Sequence, residues 1–114
     1  MHEMGLMDAV LRMVTRVCEE EQVDKVEKIV LEVGELSGAL PHFLQECFDA
    51  IIEDTPYEKT KLEIQTVPGT LYCHDCGLEF PLNPDDMRCP QCLGNKLSPK
   101  SGVDFILKEI IPAE

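Results

Sequence analysis

The sequence predicts an α+β fold: two helices on a small three-stranded sheet, with a four-cysteine, zinc-ribbon-like module inserted before the last strand. Three observations carry this. Apolar residues recur at helical spacing over 5–21 and 41–53. They alternate with other residues over 26–36, 61–67 and 103–111, the period of a strand. Between the second and third alternating runs lie two Cys-x-x-Cys pairs and only scattered apolar residues.

The first helix is read from Leu6, Met7, Val10, Leu11, Val14, Val17 and Cys18, one apolar stripe. Asp8 and Arg12 are placed to pair on its wet face. Met7 and Met13 are expected to pack in the core, and Glu19, Glu20 and Glu21 to end the helix in solvent. The first strand turns Ile29, Leu31 and Val33 to one side, and Gly34, Ser37 and Gly38 mark its end.

The second helix begins at Pro41, a residue suited to a first turn. Its expected buried stripe is Phe43, Leu44, Cys47, Phe48 and Ile51, and Thr55 and Pro56 stop it. The second strand points Leu62 and Ile64 one way and ends at Pro68 and Gly69. The last strand, with Phe105 and Leu107 on one face, needs a sheet to join, and pairing with the earlier strands is the economical solution. The expected division is therefore 1–69 plus 99–114 as one α/β domain, with 70–98 as a metal-binding module inserted in it.

The chain has 114 residues and is 44% hydrophobic, enough for one compact domain with a small stapled module. Its net charge is −12, from 22 acidic and 10 basic residues, which argues against nucleic acid as a partner. No apolar run is long enough for a transmembrane helix, and the start lacks a signal-peptide pattern, so a cytoplasmic protein is expected. No phosphate-binding glycine loop, nucleophile elbow or zinc-binding HExxH helix is present, so no enzymatic activity is expected.

Cys73-x2-Cys76-x12-Cys89-x2-Cys92 is the strongest motif in the chain. Two residues between thiols let both sulfurs face one ion, and four thiolates make the tetrahedral set of structural zinc. Cys18 and Cys47 sit singly in helical patterns and read as core cysteines. Iron in a rubredoxin-like electron carrier is a competing reading of the same spacing, although Tyr72 and Phe80 are the only aromatics in the segment. A zinc-ribbon interaction module is a further alternative. His74, between two of the cysteines, and His42, beside Pro41, read as exposed side chains.

A second metal signature stands at the start. Met1 and His2 place an α-amine, a backbone nitrogen and an imidazole where they can chelate one ion. Such nitrogen donors suit Ni²⁺ or Cu²⁺, and Glu3 adds a carboxylate or a further backbone nitrogen.

Met1-His2-Glu3, a helix-strand-helix-strand first half, the two cysteine pairs and a last strand resemble, in this order and length, the HypA/HybF family of hydrogenase and urease nickel incorporation proteins. The resemblance covers essentially the whole chain. It implies a nickel metallochaperone that carries Ni(II) at Met1, His2 and Glu3, with Zn(II) held structurally by Cys73, Cys76, Cys89 and Cys92. It implies delivery to the large subunit of [NiFe]-hydrogenase or its maturation complex, with a HypB-type GTPase/ATPase partner. Some members also serve urease, through an accessory protein, and both monomers and dimers are compatible with the reading.

Overall fold

The computed structural model describes residues 3–114 as two small sheets in an elongated molecule of 54 × 25 × 20 Å. The elements run α1 (Glu3–Glu21), β1 (Val26–Gly34), α2 (Pro41–Ile51), β2 (Lys61–Val67), β3 (Thr70–Cys73), β4 (Glu79–Pro81), β5 (Leu97–Ser101) and β6 (Phe105–Pro112). The first sheet has the order β2-β1-β6 and the second β4-β3-β5. The α+β architecture expected from the sequence is the one observed.

β1 pairs parallel with β2 and antiparallel with β6. A parallel pair cannot close through a tight hairpin, and α2 supplies the crossover between its strands. The pairing aligns Leu62, Ile29 and Ile110 on one rung and Ile64, Leu31 and Leu107 on the next. Leu107 and Ile110 are three residues apart, so strict alternation would turn them to opposite faces. A register shift at Lys108 absorbs the extra residue and keeps both against the core.

Both helices cover the same sheet face. Met7, Val10 and Val14 of α1 and Leu44 and Phe48 of α2 join Ile29, Leu31 and Val33 in one buried cluster. Removing such side chains from water stabilises the fold by about 1.5–3 kcal/mol each. α1 closes as Gln22 takes a left-handed turn at φ 58° and the Val23 amide returns to the Cys18 carbonyl. Arg12 and Asp8 do pair on its wet face, at 3.0 Å.

The uncovered sheet face is polar but protects one apolar residue. Val30 is only 2% exposed although no helix lies over it. Lys28 bonds Glu63 at 3.2 Å, and Lys108 crosses the central strand to reach Gln65 at 2.8 Å. The aliphatic stems of such chains shield what lies beneath them.

Two side chains depart from expectation. Phe43 is 46% exposed and Met13 49%, so neither belongs to the core. α2 buries Leu44, Phe48 and, just past its end, Ile52, a narrower stripe that leaves Phe43 on the flank beside His42. Met13 directly precedes the buried Val14, and the turn between them carries it to solvent. Two boundaries also move: β1 stops at Gly34 rather than 36, and β6 begins at Phe105, after an exposed Val103.

Candidate metal centre

The four clustered cysteines come from two turns built alike. In the first, the Cys73 amide donates to the Leu78 carbonyl and the Gly77 amide to the Cys73 carbonyl. In the second, the Cys89 amide donates to Gly94 and the Leu93 amide to Cys89, at the same spacing. Each turn follows a strand or loop that ends at its first cysteine and folds back on itself within six residues. β3 delivers Cys73, and pairing of β3 with β4 and β5 sets one turn against the other.

The four sulfurs lie within 4.8 Å of one another. Cys73 and Cys92 approach to 3.6 Å, and Cys76 and Cys89 to 3.5 Å. A tetrahedral ion with metal–sulfur bonds of about 2.3 Å needs sulfurs roughly 3.8 Å apart, whereas a disulfide needs about 2.05 Å. The cluster therefore has the size of a four-thiolate metal site. Cys73 and Cys89 are fully buried and help form the module's core with Leu71 and Phe80, while Cys76 and Cys92 face outward.

Backbone donors prepare the site for negative sulfur. Burial pushes the Cys89 thiol up, but the Cys92 and Gln91 amides, with Cys76 and Cys92, bring it down to about 7. The Gly94 amide favours a Cys92 thiolate, yet hydrogen bonding to Cys73, burial and the other sulfurs push that thiol up to about 12. At Cys76 the Leu78 amide also favours the thiolate, and burial with Cys89 and Cys73 outweighs it, so its thiol rises as well. Like charges this close cannot all form unaided. A divalent cation removes that conflict, and Zn(II) suits the all-sulfur, closed set. Cys73, Cys76, Cys89 and Cys92 would hold it and the ion would fix the two turns together.

The histidines lie elsewhere. His74 is exposed, its Nε2 is 2.9 Å from Ser98 Oγ, and its ring packs edge-on against Tyr72. His42 is exposed and pairs with Glu46 at 3.3 Å. Both match the reading of exposed side chains. Cys18 and Cys47 pack partly buried against the main core, and burial pushes the Cys18 thiol up. Of the expected nickel ligands, Glu3 opens the first turn of α1, half-buried, and Met1 and His2 lie outside the described residues. The Cys-x-x-Cys spacing and the glycines after each pair already imply turns whose backbone amides bond the sulfurs, and the structure shows which amides do so: Leu78, Gln91, Cys92 and Gly94.

A two-sheet fold with a four-cysteine centre defines a small zinc-module protein. The family model described as "Hydrogenase/urease nickel incorporation, metallochaperone, hypA" matches residues 1–111. Hydrogenase maturation factor HypA of Albidiferax ferrireducens is 36% identical over 110 residues, spanning 96% of this chain and 97% of that protein. The protein of the same name from Geobacter metallireducens is 35% identical over 111 residues, spanning 96% and 97%. The solution structure of the Ni metallochaperone HypA from Helicobacter pylori superposes with a TM-score of 0.65 at 23% identity, covering 98% of this chain and 97% of that one. That last likeness speaks for the fold. The chain belongs to the HypA family of hydrogenase and urease nickel metallochaperones, and this family reading displaces the rubredoxin-like alternative.

Proposed function

We propose that this chain carries Ni(II) at its N-terminus, through Met1, His2 and Glu3, while Zn(II) at Cys73, Cys76, Cys89 and Cys92 only maintains structure. The observation that carries the reading is the family match running from residue 1, combined with a closed sulfur set suited to a resident ion. A cargo metal has to leave on demand, and four thiolates leave no open position for an exchanging ligand. A terminal chelate made of an amine, an amide and an imidazole can be dismantled by a small motion. Glu3, the third of the proposed ligands, opens the first turn of α1.

In this reading residues 1–69 with 99–114 form the nickel-carrying α/β unit and 70–98 the zinc module, with the border moved past Ser101 because β5 pairs with β3 and so belongs to the module. The recipient is the large subunit of [NiFe]-hydrogenase or its maturation complex, and a urease accessory protein where urease is served. A HypB-type GTPase/ATPase assists, the setting is the cytoplasm, and the chain catalyses no reaction itself. No helix among the described residues is long and apolar enough to cross a membrane.

The test is nickel titration on a chain with its natural start. His2→Ala, and separately a short extension before Met1, should abolish tight nickel binding with zinc unchanged. An His2→Ala protein that binds nickel as tightly as the parent would place the cargo elsewhere.

A further inference from the structure

The chain leaves the helix-backed sheet at Pro68 and returns to it after Gly102, and both passages press against the end of β1. The Glu35 amide donates to the Val67 carbonyl at 2.9 Å, the Gly34 amide to Asp104 at 2.8 Å, and the Leu36 amide to Gly102 at 2.7 Å. Gly102 has φ +75°, and a Cβ there would stand 2.4 Å from the Pro68 carbonyl oxygen. The outgoing chain, the incoming chain and the end of β1 thus meet at backbone contact distance, where no side chain fits between.

Two side chains extend this meeting into the cysteine module. Glu35 Oε1 accepts the Gly69 amide at 2.8 Å, so a carboxylate from β1's end holds the first residue before β3. Leu36 packs into the core formed by Leu71, Cys73, Phe80 and Cys89. The other residues packed on that core, Leu78, Leu82 and Leu97, belong to the module itself. Leu36 comes from the other unit. A Cβ on Gly69 would lie 2.8 Å from its Cγ, so the module's entry strand runs directly over this side chain.

We propose that Glu35 and Leu36 are positioning residues, which lock the cysteine module at one attitude to the helix-backed sheet. Two units joined by linkers move relative to each other by default unless an apolar interface prevents it. Beyond the backbone contacts at the crossing, the apolar part of this interface is a single leucine in a core shared with two metal-ligand cysteines, and its side-chain hydrogen bond is the charge-assisted one from the Gly69 amide to Glu35. The lock thereby fixes where the four-cysteine site stands relative to the N-terminal helix. It does so whether or not nickel binds at the terminus.

The experiment is residual dipolar coupling of backbone amides in the full, zinc-loaded chain. In the parent, amides of β1, β2 and β6 and amides of 70–101 should fit one alignment tensor. In Glu35→Ala/Leu36→Ala the single tensor should be lost and the module should report its own, weaker one, with zinc content unchanged. Leu36→Ile should restore a common tensor. A parent that already shows two tensors overturns the proposal, as does a folded double variant that keeps one. Should the double variant not fold, Glu35→Ala alone decides, because Glu35 is exposed: it must weaken the module's alignment relative to the sheet, and identical alignment in both proteins overturns the lock.

Discussion

Gly77 and Leu93 occupy the same place in two equivalent turns. Each follows its turn's first cysteine by four residues, each donates its amide back to that cysteine, and both have left-handed backbones, φ +79° and +61°. Glycine adopts this conformation freely, whereas an L-residue with a Cβ is strained there by about 1–2 kcal/mol.

Leu93 is also 62% exposed, so packing returns little for that strain. Leu93→Gly should stabilise the module by about 0.5–1 kcal/mol, the relieved strain less glycine's added freedom in the unfolded chain. Gly77→Leu should destabilise it by about 1–2 kcal/mol. Chelator concentration at half loss of zinc gives both shifts, and a neutral Gly77→Leu would refute the argument.

Removing zinc should unfold locally before it unfolds globally. Cys73 and Cys89 are part of the module's small core, so chelation or Cys73→Ala should raise amide exchange through 70–101. The increase should reach Leu36, which packs on that core, and spare Ile29, Leu31 and Val33, which belong to the other cluster. Exchange rising equally at Leu31 would show that the two cores unfold as one.

Nickel binding should depend on pH. The imidazole and α-amine must lose protons to coordinate, and their reference pKa values are about 6.5 and about 7.7–8.0. Affinity should therefore fall as pH drops through this range, with protons released on binding at neutral pH. Affinity that is flat between mildly acid and mildly alkaline buffers would exclude a terminal amine–imidazole site.

The charge distribution predicts how a partner docks. Residues 1–67 hold 15 acidic against 6 basic side chains, while 70–101 are nearly balanced, with 4 against 3. A maturation partner that meets the first half should present a basic surface, and its affinity should fall steeply with salt. Binding unchanged from low to high salt would indicate an apolar contact in its place, with the exposed Met4, Leu40 and Phe43 as candidates.

The helix-backed sheet was legible because its elements are long and one face of each is buried. α1 shows its stripe over five turns, and β1 alternates around Leu31, so periodicity survives the exceptions at Val30, Phe43 and Met13. The second sheet was not legible. β3, β4 and β5 are short, and their core is four buried residues, two of them cysteines. Thiolates and the turns that present them replace the hydrophobic pattern from which strands are read. The cysteine spacing announced the metal centre, but Leu36 gave no sign of its role, because a leucine after a strand looks the same whichever core it enters.

The position of β1 between β2 and β6 has a consequence for the order in which the chain matures. During synthesis β1 and β2 emerge early, and the strand that completes their sheet arrives last, after residues 68–104. Until then β1 keeps a bare apolar edge, the kind of surface that captures other chains. Closing a long flexible loop is costlier than closing a short one, by about 0.6 kcal/mol per doubling of its length. A cysteine module that has already captured its ion holds Pro68 near Gly102 and turns that long closure into a short one. A zinc-loaded module should therefore let the newborn sheet seal sooner than an empty one, and zinc scarcity should lengthen the interval in which two nascent copies can trade final strands.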